Sequence, residues 1–178
     1  MHNEIIEFWF IEIDNVKWFK KDESFDELIR SRFGGVHAQA VRCELFSWRS
    51  TALGCLAEII VLDQFSRNMY RGKAESFAHD SLALSLAQSA ISNGLDSELT
   101  TQQKKFLYMP FMHSESLVIH QQALDLFTNL GVEGSLSFEI KHKSIIERFG
   151  RYPHRNKVLG RTSSSDEDSF LLQPGSGF

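Results

Sequence analysis

The segment from Leu53 to Leu62 constrains this chain more than any other. On a helix, Leu53, Leu56, Ala57, Ile59, Ile60, Val61 and Leu62 cover nearly the whole circumference, and a helix that is apolar on every side has to be buried. Glu58 interrupts the run, which is also far shorter than the about 20 residues needed to span a bilayer. Ser50 can cap this helix at its start, and it is expected to reach about Phe65 as the centre of a domain wrapped by other helices.

The remaining segments fit that role. Phe25, Leu28, Ile29, Phe33, Val36, Ala40 and Val41 recur at helical spacing and predict a helix from about residue 24 to 45. Gly34 and Gly35 interrupt it at about 1 kcal/mol each relative to Ala, so a kink or break is expected there. Leu82, Leu86, Ala90 and Ile91 form another stripe ending at Gly94. Thr100 with Gln103 reads as a capping box. Pro110 is expected to break or kink the helix that follows, and Ser114 to cap one ending near Gly131. Phe138, His142, Ile145, Ile146 and Phe149 mark one more stripe. Pro153 suits the first turn of a short helix, and Ser164 or Ser165 with Asp166, Glu167 and Asp168 suits the start of the last. Strand-like alternation and repeats are missing, so the expectation is an all-α fold of about seven or eight helices in a single domain spanning residues 1–178.

Composition narrows the function classes. With 42% hydrophobic residues, 15 phenylalanines and only 3 prolines, the chain can build a core with long helices. A net charge of −4 argues against a general nucleic-acid binder. No basic segment followed by an apolar run opens the chain, so a cytoplasmic protein without a membrane anchor is expected. Cys43 and Cys55 form no CxxC pair and read as two buried, reduced thiols. No cofactor or metal is implied, and no oligomeric state.

Two polar stretches stand out as candidate sites. The first, Asp63-Gln64-Phe65-Ser66-Arg67-Asn68, ends the buried helix. Asp63 and Arg67, four apart, can face each other there. The second carries five basic side chains, Arg148, Arg151, Arg155, Lys157 and Arg161, and no acidic one, with His154 and Asn156 among them. Guanidinium forks match phosphate and carboxylate. Structural readings weigh against both: an ion pair that ends a helix, and a basic loop paired with internal carboxylates. A third group, His113-Ser114-Glu115, could supply acid–base chemistry, with His154 as another candidate. Its spacing matches no strong zinc pattern. His142, on an apolar stripe, reads as a core histidine, and Phe8, Trp9, Phe10, Trp18 and Phe19 as packing aromatics.

The stretches LDQFSRNMYRG, YMPFMHSE, HKSIIERFGRYPHRNKVLGR and the end QPGSGF, with the opening EFWF, WFKKDESFDELIRSRF and SFAHD, resemble the bacterial proteins grouped as domain of unknown function 924. The likeness covers nearly the whole chain. It implies an all-helical fold similar to tetratricopeptide-repeat proteins, with antiparallel helix pairs stacked in an array, and it brings no established activity. The recurrent polar motifs of that family fall here on Asp63, Gln64, Arg67, Asn68, His113, Glu115, Arg151, His154, Arg155, Asn156 and Arg161. Ser66 stands where LDQFPRN is more usual, which leaves that turn less rigid.

The function is therefore not legible directly, and three readings compete. The leading one is a binding protein that holds a small anionic ligand or an acidic peptide end, with the two polar stretches sharing a hollow. The second is a hydrolase of a phosphate ester, with His113 or His154 as acid–base group, Glu115 or Asp63 as its partner, and the arginines stabilising developing charge. The third is a structural or protein-interaction scaffold held together by these motifs.

Overall fold

In the computed structural model of this protein the described residues are 1–177, and Phe178 of the QPGSGF end lies outside them. The described residues are helical, with no strand among them. They divide into two compact units. The first holds Met1–Arg71 and Glu75–Pro110, and the second holds Gly72–Ala74 and Phe111 onward.

In the first unit, α1 (His2–Glu7) continues into a π turn at Phe8–Glu12. Next comes α2 (Glu23–Val41). It is not broken at Gly34 and Gly35. Asp22 caps its first turn by accepting from the Ser24 and Phe25 amides at 3.1 Å each, and Phe25, Ile29, Phe33, His37 and Ala40 are buried along it. That burial outweighs about 1 kcal/mol per glycine. The expected stripe is shifted, because Leu28 is exposed and His37 lies on the buried face instead.

The central segment runs as α3 (Ala52–Ile60), a π turn at Val61–Phe65 and α4 (Ser66–Met69). Thr51 rather than Ser50 caps it, accepting from the Gly54 amide at 3.1 Å. From Ala52 to Ser66 the segment is buried except at Leu53. Phe8, Trp9, Phe33 and Phe106 pack around its Phe65 end. The Phe8–Phe33 and Phe33–Phe65 ring centroids lie 4.8 and 5.1 Å apart, and Trp9 meets Phe106 edge-on at 5.7 Å. Phe19, expected among the packing aromatics, is exposed. Glu58, fully enclosed in α3, is held by Arg49 through Nε (2.8 Å) and Nη2 (2.6 Å). Cys55 is buried, but Cys43 is exposed in a turn, in the left-handed region at φ 58°. The expectation of two buried thiols fails at Cys43 because α2 ends before reaching it.

α5 (Asp80–Ser92) packs on α3, and Gly94 terminates it in the left-handed conformation. α6 (Thr101–Met112) begins with the reciprocal Thr100–Gln103 capping box. Pro110 does not break it. A proline in the last turn removes one ladder hydrogen bond, while Phe106, Leu107 and Met109 are buried along the helix.

In the second unit, α7 (Leu117–Leu130) and α8 (Glu133–Phe149) pack on each other across the Gly131–Val132 turn. Ser116, not Ser114, is the residue before α7, and the Ser114 hydroxyl accepts from the Ser116 amide. Phe138 is 54% exposed. The buried face of α8 carries Ser135, Glu139, His142, Ile145 and Ile146 instead. A 3-10 turn at Pro153–Arg155 follows, then α9 (Ser165–Leu171), opened by a Ser164–Glu167 capping box. No helix among the described residues is long and apolar enough to cross a membrane.

Gly54 is required by a close approach. A β-carbon there would land on the Trp48 carbonyl oxygen and lie 2.8 Å from Thr51 Oγ1. Overfilling of this kind costs about 1–3 kcal/mol, so Gly54→Ala should lower the urea midpoint, despite the higher helix propensity of Ala, with an unchanged m-value.

Candidate functional site

The two polar stretches fall in different units, and each builds its own network. In the first unit, the π turn at Val61–Phe65 changes the helical phase just where the chain turns polar. Arg67 Nη1 lies 3.0 Å from Asp63 Oδ1 and donates to the Asp63 carbonyl at 2.9 Å. The same guanidinium grips Asp80 with two bonds of 2.9 and 3.0 Å. Gln64 Nε2 donates to Asp63 Oδ2 at 2.6 Å. Asn68 donates to Asp26 at 2.8 Å, and Arg71 clamps the same carboxylate at 2.6 and 2.8 Å. Burial is the reason for this density of partners, since Asp26, Asp63, Gln64 and Asn68 are all enclosed, and an unpaired charge there is costly.

Ser66 belongs to this network as well. It is not a loosened turn but a buried helical residue, whose hydroxyl donates back to the Leu62 carbonyl at 2.6 Å. With that proton committed, the oxygen accepts from His37 Nε2 at 2.8 Å, so His37 carries its proton on Nε2. Burial, reinforced by His79, pushes His37 down to about 4.

In the second unit the basic strip folds around Tyr152. Glu115 accepts from Arg161 Nη1 (2.7 Å) and Nη2 (3.0 Å) and from the Tyr152 amide (2.7 Å). Burial pushes the Glu115 carboxyl up, but the bonds from Arg161 and Tyr152 and the nearby Arg155 charge overcome it and hold it below the ordinary carboxylate value. Arg161 Nε also donates to Asn156 Oδ1 at 2.9 Å, and Asn156 donates to Ser163 at 3.0 Å. Arg155 donates to the His113 carbonyl at 3.0 Å and lies over the Tyr152 ring at 4.7 Å. The His154 ring sits 5.5 Å from that of Tyr152. Arg151 pairs with buried Glu167 through Nε (2.6 Å) and Nη2 (2.7 Å). Arg151, helped by the Ser164 amide against desolvation, lowers Glu167 to about 2. Of the candidate acid–base groups, Glu115 thus gives its described bonds to Arg161 and a backbone amide, while His113 offers Arg155 its carbonyl.

One buried constellation escaped the sequence reading. His120 Nδ1 lies 2.7 Å from Glu139 Oε1, and both residues are fully enclosed. His120 Nε2 lies 2.9 Å from the Ser114 carbonyl, which can only accept, so Nε2 carries a proton. The same nitrogen lies 3.0 Å from the Tyr152 hydroxyl, which donates to the Met112 carbonyl at 2.6 Å. A single proton therefore occupies the His120–Glu139 bond. Burial pushes the Glu139 carboxyl up, and its Oε2 has no hydrogen-bond partner among the described residues. The available signal was positional: Ser135, Glu139 and His142 share the helical spacing of Ile146. Asp26, Asp80, Arg49 and Arg71 were also missed, because their partners are distant in sequence. No group of three or more metal-ligating side chains occurs among the described residues.

A family model described as a bacterial protein of unknown function (DUF924) matches residues 5–175. A solved structure of a protein of unknown function from Agrobacterium tumefaciens is similar at a TM-score of 0.92, with 38% sequence identity and 96% of each chain covered. No match is found among curated proteins.

His142 donates to the Phe138 carbonyl through Nδ1, 2.7 Å away. Burial pushes it down to about 3, with the Phe138 bond opposing and His113, His120 and His154 adding repulsion. Together with His37 this fixes a pH dependence. Both groups take up protons more readily in the unfolded chain, so their contribution is complete above about pH 6.5 and is lost as pH falls toward about 4 for His37 and about 3 for His142. Urea midpoints measured from pH 7 to pH 4.5 should fall steadily, and His142→Gln should flatten that slope. For the enclosed pair, Glu139→Ala should cost about 3 kcal/mol or more by leaving His120 Nδ1 without its partner. Glu139→Gln, whose amide can donate to Nδ1, should cost clearly less in the same melts.

Proposed function

Because the chain belongs to the DUF924 family of bacterial proteins of unknown function, we propose its role from its own geometry: a binding protein whose recurrent polar motifs brace its helices, with a small charged ligand met at the surface. One observation carries this reading. Three arginines of the motifs are held by internal carboxylates, Arg67 by Asp63 and Asp80, Arg151 by Glu167 and Arg161 by Glu115, while Arg155 donates to the His113 carbonyl. A guanidinium gripped on two edges orients neighbouring backbone and leaves few donors for a substrate. Arg151 holds Glu167 and the Thr162 carbonyl through Nε and Nη2, and its Nη1 has no partner among the described residues. The α7–α8 hairpin supports a tetratricopeptide-like arrangement, in which helix pairs present binding surfaces.

A phosphate-ester hydrolase is the weaker reading. It needs a histidine–carboxylate pair that a substrate can reach, whereas the His120–Glu139 pair is fully enclosed. Two measurements test the choice. Asp63→Ala should lower the melting temperature by several degrees, as loss of one partner of a buried pair costs about 3–5 kcal/mol, and Arg161→Ala, whose pair with Glu115 is only half-buried, should lower it by less. A panel of phosphatase and esterase substrates, with and without divalent metals, should give no turnover; turnover abolished by His154→Ala would make the protein an enzyme.

A further inference from the structure

Arg148 differs from the other arginines of the basic strip. It is exposed in the last turn of α8, and its guanidinium lies over the rings of Phe149 (4.6 Å) and Phe170 (5.9 Å). Those rings pack against each other at 5.1 Å and against the buried cluster of Ile145, Ile146 and Tyr152. The guanidinium thus rests on a fixed apolar bed, and no carboxylate or hydrogen-bond acceptor among the described residues engages it. A cation on an aromatic face keeps its N–H edge available to an anion.

Arg151 opens onto the same place. Its Nε and Nη2 are held by Glu167, and Nη2 also by the Thr162 carbonyl at 2.9 Å. Those bonds fix the plane of the guanidinium, with Nη1 uncommitted among the described residues. Arg148, Phe149, Arg151, Ser164, Asp166 and Glu167 line a hollow of about 300 Å³. Glu167 is neutralised by Arg151, whereas exposed Asp166 holds no ion pair among the described residues.

The charges in this hollow decide the ligand class. Two cations and two carboxylates balance to zero, with one cation and one carboxylate unpaired. A dianionic phosphate gains little from such a lining and meets repulsion from Asp166. A molecule carrying one carboxylate and one ammonium matches both unpaired groups. The volume stands at the low end of small-molecule sites, about 300–1,000 Å³, which suits a ligand the size of an amino acid.

We propose that this hollow binds a free α-amino acid, its carboxylate on Arg148 and Arg151 Nη1, its ammonium on Asp166 and its side chain against Phe149. The assignment rests on the binding-protein reading and deepens it. The test is calorimetric titration of the full chain with the free L-amino acids, N-acetyl-L-phenylalanine, L-phenylalanine amide and inorganic phosphate. At least one apolar or aromatic amino acid should bind, and masking either charge should weaken binding about tenfold or more. Arg148→Gln and Asp166→Asn should each do the same with the fold retained and only a small fall in melting temperature, because both side chains are exposed. Absence of amino-acid binding, tighter binding of phosphate, or affinity indifferent to Arg148→Gln would each overturn the site. Those outcomes leave the binding-protein reading standing, which only turnover in the hydrolase panel removes.

Discussion

Burial of carboxylates is the constraint on which the rest of this structure depends. Asp26, Glu58, Asp63, Glu139 and Glu167 are all enclosed, and an ionised group out of water must find a partner or give up its charge. Arg71, Arg49, Arg67 and Arg151 answer four of them with bonds of 2.6 to 3.0 Å. Glu139 takes the other route, sharing one proton with His120 while burial raises its affinity for it. The arginines are thereby allocated from within. A basic stretch of sequence becomes, in three dimensions, a set of clamps that join segments distant along the chain.

The same allocation explains why the motif residues differ in what they can still do. Arg161 directs three of its nitrogens to Glu115, Asn156 and the Tyr152 carbonyl. It orients the loop around Tyr152, and Tyr152 in turn ties the Met112 carbonyl to His120. Arg151 closes the start of α9 through a glutamate that is also half of a capping box. Arg148, one turn earlier, reaches no carboxylate among the described residues and lies on phenylalanine rings. Chemical availability therefore tracks the partner each side chain meets, not the charge it brings.

Much of the fold was legible because its signals are local. Capping by Ser164 and by Thr100, termination at Gly94 and Gly131, the Asp63–Arg67 pair and the core position of His142 all depend on residues within about one helical turn. The misreadings came where packing overruled such signals. Gly34 and Gly35 leave α2 intact because one face of it is buried. Phe138 points outward while Glu139 points inward, since the packing of α7 on α8, not hydrophobicity alone, selects the face. Ser66 gains a role through His37, which lies 29 positions away.

By itself the sequence determined that this chain is helical, that the Leu53–Leu62 segment is interior, and that two polar stretches carry an unusual density of charge. These follow from side-chain periodicity and composition, which act over a few residues. Only the tertiary structure decided which charges cancel: that Arg67 meets Asp80, that Arg161 meets Glu115 across 46 positions, that His120 meets Glu139, and that Arg148 meets none among the described residues. Electrostatic pairing depends on distance in space and on exclusion of water, and neither quantity is written in the order of residues.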